Sequence, residues 1–157
     1  KASGQYMNSL LSVTEARNRG YDEAILLNSD GYISEGSGQN LFYVKDNIVH
    51  TNDESSSILL GITRDSILTI CKNLNIETKV HEFSLEDLLS ADEIFFTGTA
   101  SEVTPIRSLE DNLISDGIVG PTTLKLKNNY MDIVLGKNKR YSDWLSILNQ
   151  DIPVDNF

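Results

Sequence analysis

The residue types and spacings suited to chemistry fall between Glu35 and Thr63, and their anchor is Glu35-Gly36-Ser37-Gly38-Gln39-Asn40-Leu41-Phe42. A carboxylate closes a strand-like run and glycines follow. The chain then enters Leu41-Phe42-Tyr43-Val44, an apolar and aromatic run of strand character. An acid set just before glycines points to a backbone that comes close to something flat or bulky, with the acid aimed at it. Further on, Gly61-Ile62-Thr63-Arg64-Asp65 reads as a tight turn opening a helix, where unsatisfied backbone N–H groups and the helix dipole favour an anion. Taken locally, that stretch is equally a plain capped helix start. An acid facing a phosphate-type cradle suits a ligand with a protonatable ring and a phosphate arm.

The elements that must carry these residues follow from periodicity. Met7, Leu10, Leu11 and Thr14 recur at helical spacing between Gln5 and Arg19, with Gly20 as a stop. Ala24-Ile25-Leu26-Leu27 predicts a short buried strand, Asn28 to Gly31 a turn, and Tyr32 to Glu35 the returning strand. Leu41–Val44 and Ile48–Thr51 predict a hairpin across Lys45-Asp46-Asn47. Successive hairpins imply an antiparallel sheet. Asn52 to Ser57 reads as a polar, mobile loop. Thr63 is placed to cap a helix reaching about Leu74, with Ile67, Leu68, Cys71 and Leu74 on one face. Ile76 to Phe83 has strand character, Ser84 starts a short helix, and Glu93 to Thr97 is an aromatic strand leading into Gly98-Thr99-Ala100. Val103 to Ser108 returns as a strand in which Pro105 argues for an edge or a bend. After a loop, Gly120-Pro121 opens a last long helix with Leu124, Asn128, Met131 and Val134 or Leu135 on one side, and Tyr141 to Leu148 fits a short amphipathic tail helix.

Composition narrows the function classes. The 157 residues include 13 basic and 23 acidic side chains, a net charge of −10. No basic patch is evident, so nucleic acid and anionic membrane surfaces are poor partners. A single cysteine, Cys71, allows no internal disulfide and fits a reducing compartment; its place on an apolar helix face reads as a structural thiol. No run is long enough to span a bilayer, and no secretory signal pattern is present, so a cytoplasmic location is expected. His50 and His81 each lie in a strand-like run far from a second ligand candidate, so no metal site is expected.

Glu35-x-Ser37-x-x-Asn40-Leu41-Phe42, Val49-x-Thr51 and Leu59-x-Gly61-Ile62-x-Arg64 together resemble the signature of the class IV (fold type IV) pyridoxal-phosphate aminotransferases. Within that class, Lys1-Ala2-Ser3-Gly4-Gln5-Tyr6 and Thr97-Gly98-Thr99-Ala100-Ser101-Glu102-Val103-Thr104-Pro105 look most like the branched-chain amino acid aminotransferases. The resemblance covers the chain up to about Gly136. It implies an α+β fold, an antiparallel-rich sheet or pseudo-barrel with flanking helices, which is the large C-terminal domain of the D-amino acid aminotransferase-like fold. Residues 1–150 would be that cofactor-binding domain and 151–157 a tail, with the small N-terminal domain absent from this sequence. A homodimer is implied as well.

The same resemblance implies a chemistry. Lys1 would be the Schiff-base lysine that binds pyridoxal 5'-phosphate and shuttles the substrate's α-proton; on its own, a terminal lysine is an ordinary solvated charge. Glu35 would sit against the ring nitrogen and keep it protonated. Tyr6 would hydrogen-bond the ring oxygen, and Leu59 would pack on the ring face. Gly61, Ile62 and Thr63, with the Thr99 hydroxyl, would hold the phosphate. Thr99 and Ala100 would offer backbone N–H groups to the substrate carboxylate, where a plain β-turn is the simpler reading. Gln39 stands where the bacterial branched-chain enzymes commonly have glutamate. Arg64 and Arg107 have the charge of anion partners, but exposed arginines are common, and neither is assigned to the site. The implied reaction is transamination between branched-chain L-amino acids (Leu, Ile, Val) and 2-oxoglutarate. The alternatives are a D-amino acid transaminase, an aminodeoxychorismate lyase of the same class, or an inactive cofactor-binding fragment.

Overall fold

The structure is a computed structural model and describes residues 3–146. Lys1 and the tail expected over 151–157 lie outside the described residues. A 3-10 turn over Ser3–Gln5 runs into α1 (Tyr6–Asn18), after which β1 (Ile25–Leu27) and β2 (Ile33–Gly36) form a small antiparallel ribbon. β3 (Asn40–Lys45), β4 (Ile48–Thr51), α2 (Ile62–Asn73), β5 (Thr78–Val80), α3 (Leu85–Leu89), β6 (Glu93–Gly98) and β7 (Glu102–Pro105) follow. The hairpin β8 (Ser108–Leu109) and β9 (Asn112–Leu113) leads to α4 (Pro121–Val134) and a closing 3-10 turn, Lys139–Trp144.

The main sheet has five strands in the order β5-β4-β3-β6-β7. Its centre is antiparallel, with Tyr43 opposite His50 on one side of β3 and Ile94 on the other. Asp46 and Asn47 turn the β3–β4 hairpin with φ of 50° and 64°, the left-handed pair that matches strand twist. The sheet is antiparallel-rich, as expected, with one parallel pair at an edge, where β5 lies beside β4. The reason is connectivity: α2 crosses between them, and a helical crossover returns a strand in the same direction. Pro105 ends β7, the opposite edge strand, where its missing N–H costs no ladder bond.

Both faces of this sheet are covered, so β3 and β6 are continuous apolar runs. Phe42, Val44 and Phe95 point to the side of α2 and α4, packing with Ile67, Cys71, Leu126 and Ile133. Leu41, Tyr43, Ile94 and Phe96 point the other way, onto Ile33, Phe83, Leu88 and Ile114. Phe42 and Phe95, directly opposite in register, stack with ring centroids 5.0 Å apart. The Cys71 thiol sits in the first cluster, where burial pushes its pKa up to about 12.

Several expectations are corrected at the level of faces and ends. On α1, Met7, Leu10 and Leu11 are exposed, and the buried positions are Val13 and Ala16. β1 is not buried: it pairs with β2 alone, and Leu27 is exposed. The Ile76–Phe83 run contracts to Thr78–Val80. Thr63 does not cap α2; Gly61 is the cap residue, and Thr63 lies buried inside the first turn. On α4 the buried side is Thr123, Leu126 and Ile133, with Tyr130 partly covered, while Leu124, Val134 and Leu135 are exposed. The tail helix is instead the 3-10 turn Lys139–Trp144, and its expected end lies outside the described residues. The 52–57 segment is built rather than loose. Asp53 caps a 3-10 turn over Glu54–Ser56, and Asn52 and Ser56 are fully buried. Among the described residues, no helix is long and apolar enough to cross a membrane.

Candidate active site

β2 ends on the acid. The Glu35 carboxylate is half-buried, and its Oε2 accepts hydrogen bonds from the Leu59 N–H at 3.1 Å and from Asn40 Nδ2 at 3.3 Å. Asn40 opens β3 opposite Thr97 of β6 and also donates from Nδ2 to the Leu59 carbonyl at 2.6 Å. β2 of the small ribbon, β3 of the main sheet and the segment before α2 therefore meet at one carboxylate.

α2 supplies the anion side. Its first turn starts from Gly61 in extended conformation with no side-chain cap, and a helix start of that kind favours an anion. Gly61 has to be glycine, because a Cβ there would run into Asn40 Oδ1. The end of β6 closes the third side with Thr97, Gly98 and Thr99. Thr97 is completely buried, yet its hydroxyl has no hydrogen-bond partner among the described residues; the Ser101 hydroxyl in the following turn shares that condition.

These segments enclose a cavity of about 800 Å³, lined by Tyr6, Glu35, Leu59, Gly61, Ile62, Thr63 and Thr99 among others. That volume lies within the ordinary range for a small-molecule site. The structure thus brings together nearly all the residues singled out from the sequence. Ala100 is exposed and is not part of the lining, and Lys1 lies outside the described residues. Asn40 and Thr97 were in the quoted motifs without a role; nothing in local sequence shows that one amide will bridge Glu35 and Leu59, or that Thr97 will reach a cavity.

A family model for amino-transferase class IV matches residues 2–109. The chain belongs to the class IV aminotransferases. Among relatives of this class, a probable branched-chain-amino-acid aminotransferase from Aquifex aeolicus is 45% identical over 147 residues, 93% of this chain and 47% of that protein. The branched-chain-amino-acid aminotransferase of Escherichia coli K12 is 44% identical over 150 residues, 96% of this chain and 48% of that protein. Among solved structures, the T.th. branched-chain amino acid aminotransferase complexed with N-(5'-phosphopyridoxyl)-L-glutamate superimposes with a TM-score of 0.92 at 43% identity, covering 95% of this chain and 50% of that one. The chain spans about half the length of the curated relatives it matches.

The other ionisable groups among the described residues fall outside the cavity lining. Arg64 is buried, not an exposed anion partner: its Nη2 donates to the Asn52 carbonyl at 2.6 Å, and Asn52 Nδ2 donates to the Ile33 carbonyl at 2.7 Å. Burial lowers the guanidinium pKa. Arg64 is thus a strut between α2, the 52–57 segment and β2, and neither it nor Arg107 lines the cavity. Gln39 does line it, but its amide donates to Glu23 Oε2 at 3.0 Å and accepts from the Gly38 N–H at 3.0 Å. A glutamate in its place would set a like charge against Glu23, so the amide suits this neighbour. His50 and His81, read as isolated, are in fact bonded to each other, Nδ1 to Nε2 at 2.9 Å. Among the described residues no cluster of three ligand-type side chains could hold a metal ion.

Proposed function

We propose that the intact protein is a pyridoxal-phosphate-dependent aminotransferase that exchanges the amino group of branched-chain L-amino acids (Leu, Ile, Val) with 2-oxoglutarate, giving branched 2-oxo acids and L-glutamate. The observation that carries this reading is the convergence of the Glu35 carboxylate, Leu59, the uncapped start of α2 and the end of β6 on one cavity. The donor set fits the cofactor: N–H groups at a helix start favour a phosphate, and the buried Thr97 hydroxyl, without a partner among the described residues, marks a polar wall with hydrogen-bonding capacity to spare. The relatives' names support the branched-chain class. A solved relative holding a phosphopyridoxyl–glutamate adduct supports both the cofactor and the glutamate couple.

When bound, the cofactor supplies a ring that accepts the electron pair left on the amino acid's α-carbon. The chain's own residues do the rest. Glu35 would keep the ring nitrogen protonated, and Leu59 would pack on the ring face. The Tyr6 phenol would hydrogen-bond the ring oxygen. Ile62 and Thr63 would offer N–H groups to the phosphate, joined by the Thr63 and Thr99 hydroxyls. Thr99, and Ala100 beside the cavity lining, would offer backbone N–H groups to the substrate carboxylate. Lys1 would hold the cofactor and carry the proton to and from the α-carbon. The reading includes a cytoplasmic homodimer in which residues 1–150 are the cofactor-binding domain.

In the intact protein, added pyridoxal phosphate should give a visible absorbance that L-leucine changes and D-alanine does not. Lys1→Ala should abolish both the absorbance and turnover with L-leucine and 2-oxoglutarate. Survival of both in that variant, or a preference for D-alanine, overturns the assignment.

A further inference from the structure

The acid and the anion cradle stand on different elements, so something must fix the span between them. We infer that Asn40 is that positioning residue: its single amide locks Glu35, Leu59 and Gly61 to the start of β3, the middle strand of the main sheet. The inference rests on the functional reading above, since only a ligand with a ring nitrogen at one end and a phosphate at the other needs that span held.

The geometry leaves the amide no freedom. Nδ2 lies between two acceptors, Glu35 Oε2 at 3.3 Å and the Leu59 carbonyl at 2.6 Å. The flipped amide would press its oxygen against both, so the donor orientation is forced. On its other side, Oδ1 occupies the space that a Cβ at Gly61 would take, which brings the start of α2 up against it. Asn40 is buried and its backbone is paired with Thr97 in β6, so the frame it refers to is the rigid sheet and not a loop. Residues 57–61 have no regular structure of their own, and the Leu59 N–H bond to Glu35 ties them directly to the acid. An alanine at 40 removes a donor from a carboxylate and a carbonyl together. An aspartate keeps the shape but sets an oxygen against two oxygens, and two carboxylates that share a site do not both ionise easily.

The test uses the full-length protein carrying Asn40→Ala, Asn40→Asp, Gly61→Ala, or Asn40→Ala with Gly61→Ala. Hydrogen exchange at the Leu59 amide, followed without cofactor, should quicken at least about ten-fold in each single variant, because the bond to Glu35 loses its orientation. With pyridoxal phosphate added, the pH midpoint of its visible absorbance should move in Asn40→Ala and more in Asn40→Asp. kcat should fall roughly ten- to a hundred-fold, the scale seen when a group that orients a ligand is removed, with a smaller change in KM. Gly61→Ala keeps Asn40 and still displaces its amide, so it reads the same contact even if the substitutions at 40 do not fold. Combined with Asn40→Ala it should add little, because the collision is already relieved. Unchanged Leu59 exchange and an unmoved midpoint in Asn40→Ala and Asn40→Asp, or fully multiplicative effects in the double variant, overturn the inference. If the wild type forms no visible absorbance, the functional reading fails instead, and the exchange data still report on the clamp.

Discussion

At residue scale the clearest consequence concerns a proton. His81 Nδ1 lies 2.7 Å from the Glu82 carbonyl, which can only accept, so that nitrogen carries hydrogen. In the neutral ring Nε2 is then an acceptor, and His50 Nδ1 must donate across the 2.9 Å contact. One further proton on that pair sets two N–H groups against each other. His50 is buried and stacked on Tyr43, and desolvation, then His81 and Lys79, lower its pKa, while Asp87 and Glu77 oppose this. A base whose folded pKa is depressed binds fewer protons folded than unfolded. Its contribution is complete above the ordinary histidine value of about 6.5 and is lost as pH falls below it toward the lowered folded value. The urea midpoint should therefore decline between pH 7 and 5. His50→Gln, which can still donate to His81 but does not titrate, should flatten that decline; an identical slope in the variant would show that the pair is not responsible. This contact was illegible in sequence for a specific reason. It depends on β5 lying parallel to β4, with His50 opposite Lys79, and residue spacing carries no information about which strand a crossover will pair.

At the scale of elements, the central strands and the buried face of α2 were readable, and the faces of α1 and α4 were not. β3 and β6 show aromatic and β-branched runs whose only stable home is a sheet interior, and the Ser84–Asp87 capping box is legible as residue chemistry. α4 offers two apolar stripes, one through Leu124 and Met131 and one through Leu126, Tyr130 and Ile133, and periodicity alone cannot choose between them. The choice is made from outside the helix. Glu93, buried on β6, accepts from the Thr122 N–H at 3.0 Å and the Thr123 N–H at 2.6 Å, which fixes the helix's rotation and turns Leu126 and Ile133 onto the sheet. Gly120 admits that carboxylate, since a Cβ there would overlap it. Removing a charged acceptor from two helix-start N–H groups should cost about 2–3 kcal/mol. Glu93→Ala should lower the urea midpoint accordingly, and Gly120→Ala should do the same by displacing the carboxylate. A Glu93→Ala change no larger than that of the exposed Asp111→Ala would mean that packing, not the carboxylate, orients α4.

At the scale of the whole molecule, the site is a meeting of chain segments that no local pattern could predict to meet. The Glu35 and Gly61 motifs were legible because each carries its own chemistry, an acid before glycines and an open helix start. Asn40 and Thr97 were silent because their roles exist only once β3 and β6 are paired. That construction has a thermodynamic consequence. The cavity wall draws on Tyr6 of α1, Glu35 of β2, the 59–63 segment and Thr99 beyond β6, so these parts must be in place together for a ligand to be held. Binding that requires the folded arrangement stabilises it by about 2.7 kcal/mol at a hundred-fold excess over Kd. Added to the intact protein, pyridoxal phosphate should raise Tm with concentration and slow amide exchange in all those segments at once. The β8–β9 hairpin, whose residues are not part of the cavity lining, should change little. Protection confined to the start of α2 would instead describe a bare phosphate held by a helix end, with no ring seated against Glu35.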